Sequence, residues 1–272
     1  MDTIVRSPIP KIERMGRFLK AILVSIFLFQ GSLAHSYSAV EYISSDSLGL
    51  EFQKERLLIS MREYSKLNPY LGSEDIAVRI DSTRAEILEA LWQVLNQGPF
   101  PQEPLDDDLW HREIQVVKSN NGQLYCYTID HKTGGSYKPA STILHYRRRD
   151  GVFAAHLLDD RMGQDVQETT INEVYTLDSL GTAFLLLGTL QTCNTCFVAS
   201  AFTVSVDEEG FHFELVAQIN DFNDETDQLF FDSKSSILHF AEIKKSEDRP
   251  YEEKKSFYTF QFLGVAGYQV IR

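Results

Sequence analysis

From Trp110 to its end the chain is written in short runs of aromatic and β-branched residues, each broken before a helix could establish itself. The runs cover residues 113–117, 124–129, 142–146, 152–158, 173–177, 183–187, 197–204, 211–216, 228–231, 237–243, 257–262 and 268–271. Branched and aromatic side chains fit a pleated, half-buried surface, and runs of this length are strands. Between them a turn pattern recurs. Ser119 to Gly122, Arg149 to Gly151, Asp178 to Gly181 and Asp207 to Gly210 each place an amide or acidic residue shortly before a glycine. Such glycines can take the positive φ that tight hairpins require. The pattern predicts an antiparallel β meander closed into a barrel, folded into a sandwich or wound as propeller-like blades.

The residues before Trp110 read differently, so the chain as a whole is mainly β but α+β overall. In 50–67 the apolar residues Leu57, Leu58, Met61 and Tyr64 recur at helical spacing, and Asn68 with Pro69 stops them. A second helix is predicted over 83–95, with Thr83 and Glu86 as a capping box, then Ile87, Leu88, Leu91, Trp92 and Leu95 as one apolar stripe ended by Gly98 and Pro99. The proline- and acid-rich stretch 99–108 has no periodicity and marks a passage to the β region. Expected organisation is therefore a leader over 1–34, a helical region with its linker over 35–108, and an antiparallel β domain over 109–272.

The leader rests on a basic start from Met15 to Lys20, an apolar run from Ala21 to Phe29, and small residues at Gly31, Ser32 and Ala34. That is the anatomy of a secretory signal peptide, cut after Ala34 or Ser36. Translation starting at Met15 would leave 1–14 unmade. The apolar run is shorter than the roughly 18–20 residues that cross a bilayer core, so no permanent span is expected after cleavage. Formal net charge is −13, and it becomes more negative once 1–34 are removed. An acidic surface repels phosphate backbones and anionic lipid, which excludes nucleic acid as the expected partner.

Of the three cysteines, Cys193 and Cys196 form a CxxC pair flanked by strand-like runs, and Cys126 lies inside one. Two readings of the pair stand: a small disulfide closed at a hairpin end in an oxidising compartment, or two small unbonded residues there. A redox pair would open a helix after a strand, and a zinc knuckle would need a second ligand pair. The stretch Gly122 to Gly135 resembles a recurrent element of uncharacterised exported proteins of Bacteroides-type bacteria, in which a turn, a strand ending in Asp and a Thr-Gly-Gly precede another strand. The resemblance covers about residues 113–160. It implies an exported β-rich protein and carries over no catalytic residue.

No phosphate loop, nucleophile elbow or zincin motif occurs in the sequence. The densest polar cluster is Asp130 to Gly135, where Asp130 would orient His131 as a general base and Asp159 would add a carboxylate. The plainer reading of the same residues is a turn. His145, His156, His212 and His239 stand one to a strand, as half-buried core histidines do; only convergence in one pocket would make them metal ligands. Asp221, Asn223, Glu225, Asp227 and Asp232 echo a calcium loop, although Thr226 stands where that loop needs glycine and no helix flanks it. Three functions follow in order of expectation. The first is an exported binding or accessory protein, without cofactor, for an envelope protein or a saccharide. Second comes a secreted glycosidase-like hydrolase using Asp130, His131 and Asp159. The third is a calcium-stabilised structural module.

Overall fold

Three stretches of sequence each contain four strands, and each stretch folds on itself. The computed structural model describes residues 47–71, 74–97, 107–148, 151–158, 168–207, 211–220, 222, 228–245, 253–263 and 267–271, all within one compact unit, Ile43–Arg272. The expected leader, Asp159, and four members of the acidic loop (Asp221, Asn223, Glu225 and Asp227) lie outside the described residues.

The helices are α1 (Ser47–Tyr64), α2 (Glu74–Asn96) and α3 (Asp107–Glu113), with a 3-10 turn at Pro69–Leu71. Sheet I holds β1 (Gln115–Lys118), β2 (Leu124–Asp130), β3 (Ala140–Arg147) and β4 (Phe153–Leu157). Sheet II holds β5 (Thr170–Thr176), β6 (Ala183–Gln191), β7 (Phe197–Val206) and β8 (Phe211–Ile219). Sheet III holds β9 (Gln228–Asp232), β10 (Ile237–Lys245), β11 (Glu253–Phe262) and β12 (Tyr268–Ile271). In each sheet the strands stand in chain order and every pairing is antiparallel, which is the meander the turns predicted. No sheet closes into a barrel, so of the three closures expected the barrel is set aside. Three of the four predicted turn glycines, Gly122, Gly151 and Gly181, have positive φ, and the fourth, Gly210, lies outside the described residues.

The layers follow from which side of each strand is apolar. Tyr127, Ile129 and Ile143 of sheet I pack under Leu57, Met61, Ile87, Leu91 and Leu95 of the helices. On the opposite side Leu124, Cys126 and Leu144 meet Phe184, Leu186, Phe202 and Val204 of sheet II. The other face of sheet II, with Leu185, Leu187 and Ala201, meets Phe231, Leu238, Phe240 and Phe262 of sheet III. The order is helices, sheet I, sheet II, sheet III. Sheet II is covered on both faces, which is why β6 is buried over its first six residues instead of alternating.

Two predicted boundaries move. Helix α2 begins nine residues before Thr83, which is buried in its interior and caps nothing. Its acidic start, Glu74 and Asp75, suits the positive end of the helix dipole, and Ile80 and Thr83 extend the buried stripe backwards. The run expected to start at Glu113 starts at Gln115, because Asp107–Glu113 coils into α3 and buries Leu109 and Trp110 among the helices.

Candidate functional site

Strand β2 ends at Asp130, and the loop 131–139 returns the chain to β3 with its neck closed by a hydrogen bond from His131 N to Pro139 O. Lys132 takes a left-handed conformation, φ 51°, and its N–H donates to Asp130 Oδ1 at 2.5 Å. The carboxylate expected to orient His131 thus serves its own turn. His131 instead meets Ser141, with Nε2 and Oγ 2.7 Å apart. Burial, reinforced by the positive charge of Arg84 and opposed by Asp130 and Asp81, pushes the His131 pKa down to about 4. The imidazole is therefore neutral at pH 7. A neutral imidazole within hydrogen-bond reach of a hydroxyl is the arrangement of a base with its nucleophile.

The side chains around this pair hold layers together. Lys132 Nζ lies 2.7 Å from Glu113 Oε2, donates to Tyr64 O at 2.8 Å, and stands 4.1 Å from the centre of the Tyr64 ring. The Tyr64 hydroxyl donates to Asp130 O, and Glu113 is buried and also meets Arg112 Nε at 3.3 Å. One ammonium thus ties α1, α3 and the loop. Pairing of this kind is what makes a buried charge tolerable. Gly134, at φ +74°, lies against the 3-10 turn so closely that a Cβ would come 2.8 Å from Pro69 Cβ. The Tyr137 hydroxyl donates to the Glu168 carboxylate, whose pKa is raised by burial and held back by Arg84.

Of the two readings of Cys193 and Cys196 the disulfide is the one found, at the turn between β6 and β7. Its hairpin adjoins the loop 131–139, since Lys138 N donates to Gln191 O at 2.8 Å. Cys126 is buried and free, and burial pushes its thiol pKa up.

The four strand histidines stand apart. His145 faces the helices between Tyr127 and Phe153, with ring centroids 6.3 and 5.4 Å away. Burial, opposed by its contact with the Leu95 backbone, pushes its pKa down to about 4. His156, one strand over and on the other face, stacks on Phe211. His212 Nε2 lies 3.0 Å from Asp207 Oδ2, and His239 stacks on Phe230 in sheet III. Among the described residues no three His, Cys, Asp or Glu side chains are placed to hold a metal ion. Asp232, the described member of the acidic loop, accepts from Lys234 N at 3.0 Å and Ser235 Oγ at 2.6 Å, which hold its pKa low.

The outer face of sheet III was not anticipated. Phe230, His239, Thr259 and Ile271 stand directly opposite one another across its four strands, with Phe257 in the adjacent row. Phe230 is 47%, Ile271 36% and Phe257 66% exposed. The signal was present as alternation in β9 to β12, but the outward set mixes Phe230, Ile237, Phe257 and Ile271 with Gln228, His239, Thr259, Gln261 and Gln269, so the pattern does not single out its apolar members. No family model matches the chain, and no curated protein matches it in sequence.

Proposed function

We propose that this chain is an exported binding or accessory protein that holds another protein of the cell envelope against the outer face of its third sheet. The carrying observation is the Phe230 and Ile271 row. On the inner face of sheet III Phe231, Leu238, Phe240 and Phe262 are buried against sheet II, with Tyr258 and Val270 left exposed, whereas no described layer covers the outer face and Phe230, Phe257 and Ile271 stand in water. Large apolar side chains exposed on one face, here Phe230 and Ile271 with His239 and Thr259 between them, are the kind of surface that interaction sites use. Continuity with the stack names the partner's chemistry: an apolar protein face, laid on sheet III as sheet III is laid on sheet II. The signal-like segment and the Cys193–Cys196 disulfide support export.

The test compares the mature protein with a Phe230→Glu, Ile271→Glu variant, each immobilised and washed with detergent-extracted envelope. A salt-tolerant partner held by the wild type and lost from the variant is the expected result. Equal retention by both removes the docking face. A wild-type dimer in light scattering that the variant abolishes would reassign the face to self-association.

The 2.7 Å contact between His131 and Ser141 favours a second reading, a secreted hydrolase. Here Ser141 Oγ would attack an ester carbonyl as His131 takes its proton; the ester C–O bond breaks, His131 returns the proton to the departing alcohol, and water then hydrolyses the acyl-serine. Turnover of a chromogenic ester or glycoside that both Ser141→Ala and His131→Gln abolish would establish it, and no turnover across the panel would remove it.

A further inference from the structure

At the end of the stack away from the loop 131–139, three turns meet around a cleft of about 290 Å³. Arg147, Arg148 and Gly151 line it from the β3–β4 turn, Gln123 from the β1–β2 turn, and Leu180 with Thr182 from the β5–β6 turn. The two sheets are locked together at this point. Gly181, at φ +70°, approaches the β1–β2 turn so closely that a Cβ would lie 2.7 Å from Asn121 Nδ2. Asn120 Oδ1 also accepts from Thr176 N at 3.2 Å.

The charges in the cleft are unequal. Asp178, the nearest carboxylate in the turn, already accepts from Thr182 N at 2.9 Å, Ala183 N at 3.0 Å and Thr182 Oγ1 at 2.8 Å. Arg147 is exposed, and among the described residues it has no carboxylate within ion-pair distance. In a chain of net charge −13, that places beside the hollow a guanidinium that no carboxylate of the described residues neutralises. A guanidinium presents a planar fork that matches the two oxygens of a carboxylate or sulfate. Next to it stand an amide, Gln123, able to donate to and accept from hydroxyls, and an apolar side chain, Leu180, 67% exposed, able to lie against the C–H face of a ring. At about 290 Å³ the volume falls just short of small-molecule clefts, which begin at roughly 300 Å³, and leaves room for no more than one sugar-sized ring.

We propose that this cleft binds an acidic monosaccharide unit, with Arg147 holding the anionic group, Gln123 the ring hydroxyls and Leu180 the ring face. The site is separate from the docking face of sheet III, and either can exist without the other.

Isothermal titration of the mature protein with D-glucuronate, D-glucose and sodium sulfate tests it. Saturable glucuronate binding is expected, weakened roughly ten- to hundred-fold by Arg147→Gln and only partly restored by Arg147→Lys, which keeps the charge and loses the fork. Glucose should give no binding, and sulfate should compete weakly. No glucuronate binding, equal binding of glucose, or an unchanged affinity in Arg147→Gln overturns the proposal. Sulfate binding as tight as glucuronate overturns the saccharide class. Arg147 is exposed, so its variants should melt with the wild type, and the Phe230→Glu, Ile271→Glu variant should keep its glucuronate affinity.

Discussion

His145 and His131 are both held neutral by burial, and that makes stability depend on pH. Their ordinary pKa of 6.5 applies in the unfolded chain, and about 4 applies in the fold. Below pH ~6.5 the unfolded state binds protons that the folded state refuses, so stability is flat above pH 7 and falls between about pH 6.5 and 4. For His145, which has no exposed surface, the loss between pH 7 and 5 is about 2 kcal/mol. Urea unfolding at the two pH values should show it, and His145→Leu should flatten the difference by a similar amount. Gly134 gives a prediction of another kind. An alanine there meets both a positive φ and the Pro69 ring, and should cost roughly 1–3 kcal/mol in chemical denaturation. At this scale the sequence marks His131 as part of a polar cluster but hides Ser141, because the hydrogen bond depends on how a nine-residue loop returns. Asp130 looked like the orienting group because it is adjacent in sequence, yet a turn consumes its carboxylate first.

Among the elements, the strands were largely legible, since aromatic runs stopped by Asx-Gly turns have few other solutions. Helix α2 was legible in its apolar stripe and misread at its start, where Thr83 with Glu86 resembles a capping box but lies inside a pattern that continues back to Ile80 and Ile76. Helix α3 spans seven residues, too few for periodicity to speak. Trp92 was read as core, and it does more. Its Nε1 donates to Ala155 O at 3.0 Å while Asn96 Oδ1 accepts from Ala155 N at 3.0 Å, so two α2 side chains satisfy the open edge of β4. Leu91→Ala, at a fully buried site between these layers, should cost about 2–5 kcal/mol. The Cys193–Cys196 bridge closes so short a loop that its entropic contribution is about 2 kcal/mol or less. The double serine variant should therefore remain folded, with a modest loss in urea midpoint.

For the whole molecule, composition predicted the class, and the number of strands per sheet came only from the structure. Twelve strands fit a barrel or a sandwich by count and fall short of the four four-stranded blades a propeller usually has, and the outcome is decided by which apolar faces meet, a relation between residues far apart in sequence. The calcium module makes a prediction at this scale. Asp232 is occupied by its own turn, so EDTA is expected to leave the melting temperature unchanged; a drop that added calcium reverses would reinstate a structural ion.

Because the strands of each sheet stand in chain order, nearly every contact that builds a sheet joins segments only a turn apart. Nearby segments lose little loop entropy on pairing, so such a chain should fold quickly for a β protein. It also folds well from one end. A chain delivered N-terminus first, from a ribosome or through a pore, can finish the helical layer with sheet I before sheet II has emerged, and sheet II can then assemble on a surface already in place. The last sheet to arrive is the one that keeps an apolar face uncovered.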